Sequence, residues 1–163
     1  MSIFKLAITF LCLTAFATTA FAQQANPSAM KTFASSADVK ALIEKAKAER
    51  KDGQANVIER ILQFAPYSAN LEYRAIGGTA AVHEKEAEMF YVIDGAATLV
   101  TGGKLVGETR TNPTNLSGSA IQGGDTKKIA QGDFFMVPEG MPHQISAVEK
   151  TLVLMTVKMP RGQ

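Results

Sequence analysis

The amino-acid sequence predicts an all-β fold with one N-terminal amphipathic helix. Short apolar segments are separated by turn-forming residues, and only one stretch of the chain has helical periodicity. Many short strands with turns between them are typical of a closed or double-sheet β architecture. The chain has 163 residues, which suits a single full-sized domain.

Residues 1–22 have the pattern of an export signal. An early cation, Lys5, precedes the apolar residues 6–16, and Ala20-Phe21-Ala22 matches a cleavage site. We therefore expect export and cleavage near Ala22, to the periplasm or outside the cell, with no membrane attachment afterwards. An uncleaved membrane anchor is the alternative. The only cysteine, Cys12, lies in this segment, so the mature chain would have no disulfide, thiol nucleophile or thiolate metal ligand.

The overall composition excludes two classes of protein. Seventeen Lys and Arg residues against fifteen Asp and Glu residues give a net charge of +2, which argues against a nucleic-acid binder. Hydrophobic residues make up 46% of the chain, so a largely disordered protein is equally excluded. Neither limit bears on a small-molecule ligand, which stays open as a partner.

Residues 23–55 are interpreted as a polar leader followed by the helix. Ser36 is the predicted N-cap, and Asp52-Gly53 is expected to stop the helix. The apolar face is formed by residues at helical spacing: Val39, Leu42, Ile43 and Ala46. This face is expected to pack on the outside of the β structure, and a helix that binds a target is the alternative.

The remaining chain predicts mostly strands. Residues 56–64 fit a helix or a strand, and Leu71, Tyr73 and Ala75 alternate with Glu72 and Arg74. Asp94-Gly95 predicts a tight hairpin turn between residues 89–93 and 96–101. Two more strands are expected at residues 134–137 and 152–157. Residues 102–131 lack periodicity and predict a long loop.

The chain contains only two histidines, and each lies beside a predicted strand. His83 precedes Glu88 by five positions, within residues 81–95. His143 follows Gly132, Pro138 and Gly140. Imidazole and carboxylate groups are common metal ligands and acid–base groups, so these residues are the first candidates for a site.

These two segments resemble the motifs of the cupin superfamily, G(X)5HXH(X)3,4E(X)6G and G(X)5PXG(X)2H(X)3N. Gly132, Pro138, Gly140 and His143 fit the second motif without a gap. Glu88 and Gly95 fit the end of the first, and His83 has the spacing of its second histidine. The departures are three alanines: Ala75 for the opening glycine, Ala81 for the first histidine and Ala147 for the final asparagine. A shifted alignment would pair His83 with Lys85 instead, and one of the four usual ligands is missing in either alignment.

The resemblance implies a jelly-roll cupin barrel over residues 56–158. In such a barrel His83, Glu88 and His143 would hold a divalent transition metal, with Fe, Mn, Zn, Ni and Cu all compatible. Counting from Glu88 along its strand places Phe90 and Val92 on the inward face, as an apolar pocket floor. Lys85 would either pair with the acids around it or reach an anionic substrate. The resemblance also implies a homodimer.

Three functions remain open at this stage. The first is a metal-dependent enzyme acting on a small organic molecule, and the second is a cupin that binds a small ligand without metal. The third is a structural or interaction module that uses the long loop and the helix. The charged run at residues 83–88 also fits a solvated turn, and Glu84, Glu86 and Glu88 could do acid–base work without metal.

Overall fold

The computed structural model of the protein describes residues 30–161, so the predicted signal at residues 1–22 lies outside the described residues. The described chain contains one helix, α1 (Ser36–Glu49), and eleven strands: β1 (Asn56–Phe64), β2 (Tyr67–Arg74), β3 (Ala80–His83), β4 (Glu86–Thr101), β5 (Lys104–Val106), β6 (Thr109–Asn112), β7 (Asn115–Gly118), β8 (Ala120–Gln122), β9 (Asp125–Ala130), β10 (Phe134–Val137) and β11 (His143–Pro160). The all-β class with a single helix is confirmed. Among these residues, no helix combines the length and the apolar character that crossing a membrane requires.

Two long antiparallel strands organise the sheet. One edge of β11 runs along nearly all of β4, and its other edge pairs with β2 and contacts β3. The sheet continues from β2 to β1 and from β3 through β7 to β6, while β9 and β10 share the far edge of β4. Strands β5 and β8 form a separate ribbon. This arrangement is the jelly-roll that the resemblance to cupins implied.

Helix α1 begins one residue earlier than the sequence indicated. Its N-cap is Ser35 rather than Ser36, because Ser35 and Asp38 form a reciprocal capping box. The Ser35 hydroxyl oxygen accepts from the Asp38 backbone N–H, and the Asp38 carboxylate accepts from the Ser35 backbone N–H. The helix ends at Glu49, before the predicted stop at Asp52-Gly53.

The apolar residues divide into two clusters, on opposite faces of the sheet. The outer cluster lies under α1, where the predicted face of the helix packs on Val57, Leu71, Tyr73 and their neighbours. The inner cluster fills the sheet interior with Phe90, Val92, Ala97, Leu99, Ile129, Val137, Ile145, Leu152 and Leu154. Because α1 covers the outer face of β2, both faces of that strand are buried. Glu72, which alternation placed opposite the apolar face, is only 6% exposed.

The hairpin predicted at Asp94-Gly95 is wrong, because β4 passes through this dipeptide as one strand. Gly95 has φ +86° and pairs with Leu152 at a register shift between β4 and β11. A Cβ at Gly95 would lie 1.9 Å from the Thr151 carbonyl oxygen. The glycine therefore allows a kink and a close backbone approach within a strand, where the sequence pattern indicated a turn.

The long loop predicted at residues 102–131 is also wrong. Five strands, β5 to β9, occupy most of this segment. These strands have three to six residues each; β5, β6 and β9 are largely exposed, whereas β7 and β8 are mostly half-buried. Their residues are mostly polar or glycine, so the strands leave no apolar alternation in the sequence and are defined by backbone pairing.

Candidate metal centre

Three strands bring His83, Glu88 and His143 together. His83 is the last residue of β3, Glu88 lies near the start of β4, and His143 is the first residue of β11. Glu88 Oε2 lies 3.4 Å from His83 Nε2 and 3.2 Å from His143 Nε2. The three ligand atoms all lie within 4.8 Å of one another, so this group could bind one metal ion.

Each imidazole is held through its other nitrogen. His83 Nδ1 lies 3.0 Å from Asn115 Oδ1, and His143 Nδ1 lies 3.3 Å from the Met141 carbonyl oxygen. Both partners are acceptors, so both Nδ1 atoms carry the proton and donate. In neutral histidine this tautomer leaves the Nε2 lone pairs directed at the shared position beside Glu88.

Glu88 is buried as a charged group. Only 4% of the residue is exposed, and burial by itself would raise the pKa of this carboxyl. When His143 also carries a proton on Nε2, its hydrogen bond to Glu88 and the positive charge of Lys158 have the opposite effect, and together with the charge of the histidines they lower the Glu88 pKa to about 2. Lys158 Nζ lies 3.1 Å from Glu88 Oε1, which leaves Oε2 for the two histidines. The third candidate ligand is therefore a carboxylate at neutral pH.

Lys158 is itself held in charged form by two acids. Burial would lower the pKa of its ammonium group, but Glu88 and Glu86 raise it above the usual value. Its Nζ also bonds Glu86 Oε1. This lysine therefore contributes a permanent positive charge to the site.

A cavity of about 170 Å³ adjoins the three residues. Phe90, Phe135 and Ile145 form an apolar part of its wall. Phe90 stacks on Phe135 with ring centroids 4.7 Å apart, and its centroid lies 6.4 Å from that of His143. Val92 has the inward direction predicted for it, but it is 0% exposed in the inner core and does not line the cavity.

Lys85 lies outside the cavity, so of its two expected roles the structure does not support contact with a substrate there. It occupies the short turn between β3 and β4 and is exposed, and the cavity wall does not include it. Because Lys85 lies in the two-residue connection between strands, its side chain is exposed to solvent. Lys158, in contrast, pairs with Glu88 in the register of β11 and β4. Lys158 supplies the lysine of the site.

A second polar group lines the same cavity and was not predicted. It is centred on Glu72, whose Oε1 accepts from the Thr156 hydroxyl at 2.7 Å and whose Oε2 accepts from Arg74 at 2.7 Å. Asn56 Nδ2 also donates to Oε2, at 3.2 Å. The sequence signal was available in part, since polar Thr156 and Lys158 alternate with apolar residues in the last strand.

Two buried amide oxygens belong to this polar region. Asn56 Oδ1 and Asn70 Oδ1 have no hydrogen-bond donor within residues 30–161. A buried acceptor without a partner costs free energy unless a ligand or water supplies the hydrogen bond. The interior is thus polar beyond what the three candidate ligands require.

The family of the chain follows from a match to a family model. The model of the cupin family, described as "Cupin", matches residues 63–160. This match spans more than half of the chain, so the protein belongs to the cupin family. It contains a His-His-Glu group that could bind a metal. No curated protein matches the chain significantly.

Solved structures of the same fold are distant in sequence. KdgF from Halomonas sp. has a TM-score of 0.50 and 16% identity, with 69% of this chain and 87% of that chain covered. The protein TT1209 from Thermus thermophilus has the same score and identity, with 71% and 93% covered. An uncharacterized conserved protein with a double-stranded β-helix domain from Klebsiella pneumoniae has a TM-score of 0.50 and 12% identity, with 72% and 86% covered. These similarities show the fold alone.

Proposed function

We propose that this protein is an exported cupin that binds one divalent transition metal through His83 Nε2, Glu88 Oε2 and His143 Nε2. A small organic molecule would bind, and react or be retained, in the adjoining cavity. One observation carries the proposal. Both Nε2 atoms converge on one carboxylate oxygen, while both Nδ1 atoms are bonded to acceptors. A pair of surface histidines has no need of this arrangement, whereas metal ligands typically have it.

The donor set fits the proposed ion. Two imidazole nitrogens and one carboxylate oxygen suit Fe(II), Mn(II), Zn(II), Ni(II) or Cu(II). Ala81 lines the cavity where the cupin motif has a further histidine, so three protein ligands would leave coordination positions for a small molecule. A metal held here would supply Lewis-acid polarisation of a bound oxygen. The chain's own residues would orient the ligand, with Phe90 and Phe135 against its apolar part and Lys158 holding Glu88 in place.

The proposed export rests on the sequence of residues 1–22. After cleavage the chain would have no cysteine, so a site built from histidine and glutamate suits an oxidising compartment.

A metal-free cupin that binds a small ligand is the second candidate. It is favoured by the ion pair between Lys158 and Glu88, because this pair already compensates the buried carboxylate. In that case His83 and His143 would act as hydrogen-bonding groups of the cavity wall. The two candidates differ in metal content and in whether a chelator changes ligand binding.

Elemental analysis of the mature protein tests the proposal. The protein would be produced in an exporting host and purified without a His-tag or chelator, as wild type, His143→Ala and Glu44→Gln. Glu44 is exposed on α1, so its variant controls for the loss of a metal-binding side chain elsewhere. We expect near-stoichiometric metal in the wild type and in Glu44→Gln, and its loss in a folded His143→Ala.

One result would overturn metal binding. If the wild type holds no metal even after reconstitution with several divalent ions, the second candidate replaces the first. Circular dichroism of each variant would show that a missing metal does not reflect a missing fold.

A further inference from the structure

The cavity beside the three candidate ligands also contains an arginine whose donors are only partly used. Arg74 Nε and Nη2 both donate to Glu72 Oε2, at 3.0 and 2.7 Å. Within residues 30–161, Nη1 donates to no acceptor, and the side chain is 18% exposed where it lines the cavity. A guanidinium has five N–H donors, so the edge formed by Nη1 and Nη2 is available for a second carboxylate.

The orientation of this arginine is fixed by a buried carboxylate. Glu72 accepts hydrogen bonds on both oxygens, from Thr156 on one and from Arg74 and Asn56 on the other. A guanidinium held in this way loses little conformational freedom when it binds a ligand, which favours affinity. The exposed pair of Arg110 and Glu84 has similar bonds but lies on the surface, where solvent weakens it.

The charges around the cavity favour an anion once the metal is bound. Glu72 and Glu88 balance Arg74 and Lys158 on the cavity wall, and Glu86 beside Lys158 adds one negative charge. A divalent ion at the three candidate ligands would bring this set to a net charge of +1. The positive net charge of the cavity wall therefore depends on the metal of the proposed function.

The dimensions limit the size of the ligand. Thr156 contacts Glu72 and Lys158 contacts Glu88, and these two β11 residues lie two positions apart on one face, about 6.7 Å along the strand. The cavity of about 170 Å³ holds about five or six water-sized groups. A molecule of three to five carbons fits this volume, whose wall includes Arg74 and both histidines.

We infer that Arg74, positioned by Glu72, binds the carboxylate of a small organic acid whose other end lies beside His83, Glu88 and His143. Arg74 is thereby the residue that selects anionic over neutral ligands. This inference deepens the proposed function and depends on it for the net charge of the cavity.

The test compares acids with uncharged analogues of the same size. Lactate and malonate, and the corresponding lactamide and malonamide, would be titrated into zinc-loaded protein and followed by ¹H–¹⁵N NMR. We expect the wild type to bind at least one acid tenfold or more tightly than its amide. Arg74→Gln should reduce acid binding at least tenfold and leave amide binding and zinc content unchanged. Arg110→Gln, the matched control, should bind like the wild type.

Arg74→Gln leaves Glu72 buried without its cation and can unfold the protein for that reason. The double variant Glu72→Gln with Arg74→Gln removes both charges and keeps the test valid. In this background too, loss of the preference for acids is expected.

Equal affinity for acids and amides, no binding of either acid, or an unchanged preference in a folded Arg74 variant would overturn the inference. Zinc content, measured on the same samples, separates this failure from a failure of the proposed metal site. A protein that holds zinc but shows no preference for acids contradicts the role of Arg74 alone. A protein that prefers acids without holding zinc contradicts the metal site and the net-charge argument, and leaves the role of Arg74 standing.

Discussion

At the scale of single residues, Asn115 determines which nitrogen of His83 faces Glu88. The two residues are direct partners in the register of β3 and β7, and Asn115 Oδ1 accepts from His83 Nδ1. Without this acceptor, the imidazole could rotate or change tautomer, and Nε2 would no longer be directed at the proposed ion. Asn115 is therefore a positioning residue for the site.

We predict that Asn115→Ala weakens metal binding by about 10- to 100-fold, as loss of a ligand's supporting hydrogen bond typically does. Asn115→Asp keeps an oxygen acceptor at the same place and should retain most of the affinity. Competition with a chromophoric chelator would measure both variants. Wild-type affinity in Asn115→Ala would show that His83 needs no partner to hold its orientation.

The sequence identified only part of this group of residues. Histidine spacing and the cupin motif singled out His83, Glu88 and His143, which the structure brings within 4.8 Å. Asn115 gave no signal because its role depends on a strand pairing 32 positions away. The sequence signal of Glu72 and Arg74 was misleading. Alternation with apolar residues assigns these polar side chains to solvent, but in the structure they line a cavity inside the sheet.

At the scale of elements, the kink in β4 depends on Gly95. The strand pairs with β10 before the kink and with β9 after it, so the glycine joins the two halves of the sheet edge. A side chain here would meet the Thr151 carbonyl oxygen at 1.9 Å and would also occupy a backbone with φ +86°. Both effects act in the folded state.

We predict that Gly95→Ala lowers the free energy of unfolding by roughly 3 kcal/mol or more, because a backbone clash adds to the strain of positive φ. Gly53→Ala is the matched control. Gly53 has φ +77° but nothing within 4 Å of a Cβ, so strain alone should cost about 1 kcal/mol. Urea denaturation would measure both, and equal losses would contradict the close approach of Thr151 to Gly95.

Elements with a buried face are predictable from the sequence, and elements without one are not. The helix and the strands at residues 134–137 and 152–157 have apolar faces, and the structure has them at those places. The segment that forms β5 to β9 predicts a loop because its short strands are mostly polar and show no apolar alternation. Asp94-Gly95 predicts a turn because this dipeptide is common in hairpins. The pairing of β4 with β11 continues on both sides of Gly95, and local sequence does not reveal such long-range pairing.

At the scale of the whole molecule, the proposed metal site connects distant parts of the chain. His83 and Glu88 lie on consecutive strands, whereas His143 begins β11, which pairs with β4 and β2 through the centre of the sheet. An unfolded chain does not hold these three groups together. A metal that binds the folded state in preference therefore stabilises the whole fold by mass action.

We predict that metal added at a hundredfold excess over its dissociation constant raises the free energy of unfolding by about 2.7 kcal/mol. The melting temperature should rise by several degrees, and EDTA should reverse the rise. His143→Ala should show no such shift, while Glu44→Gln should respond like the wild type. If a protein shown by elemental analysis to be loaded melts at the same temperature before and after EDTA has removed the ion, the ion binds the folded and unfolded chains equally, which contradicts a site that only the fold assembles from His83, Glu88 and His143. Three strands joined by one ion cannot separate without releasing it.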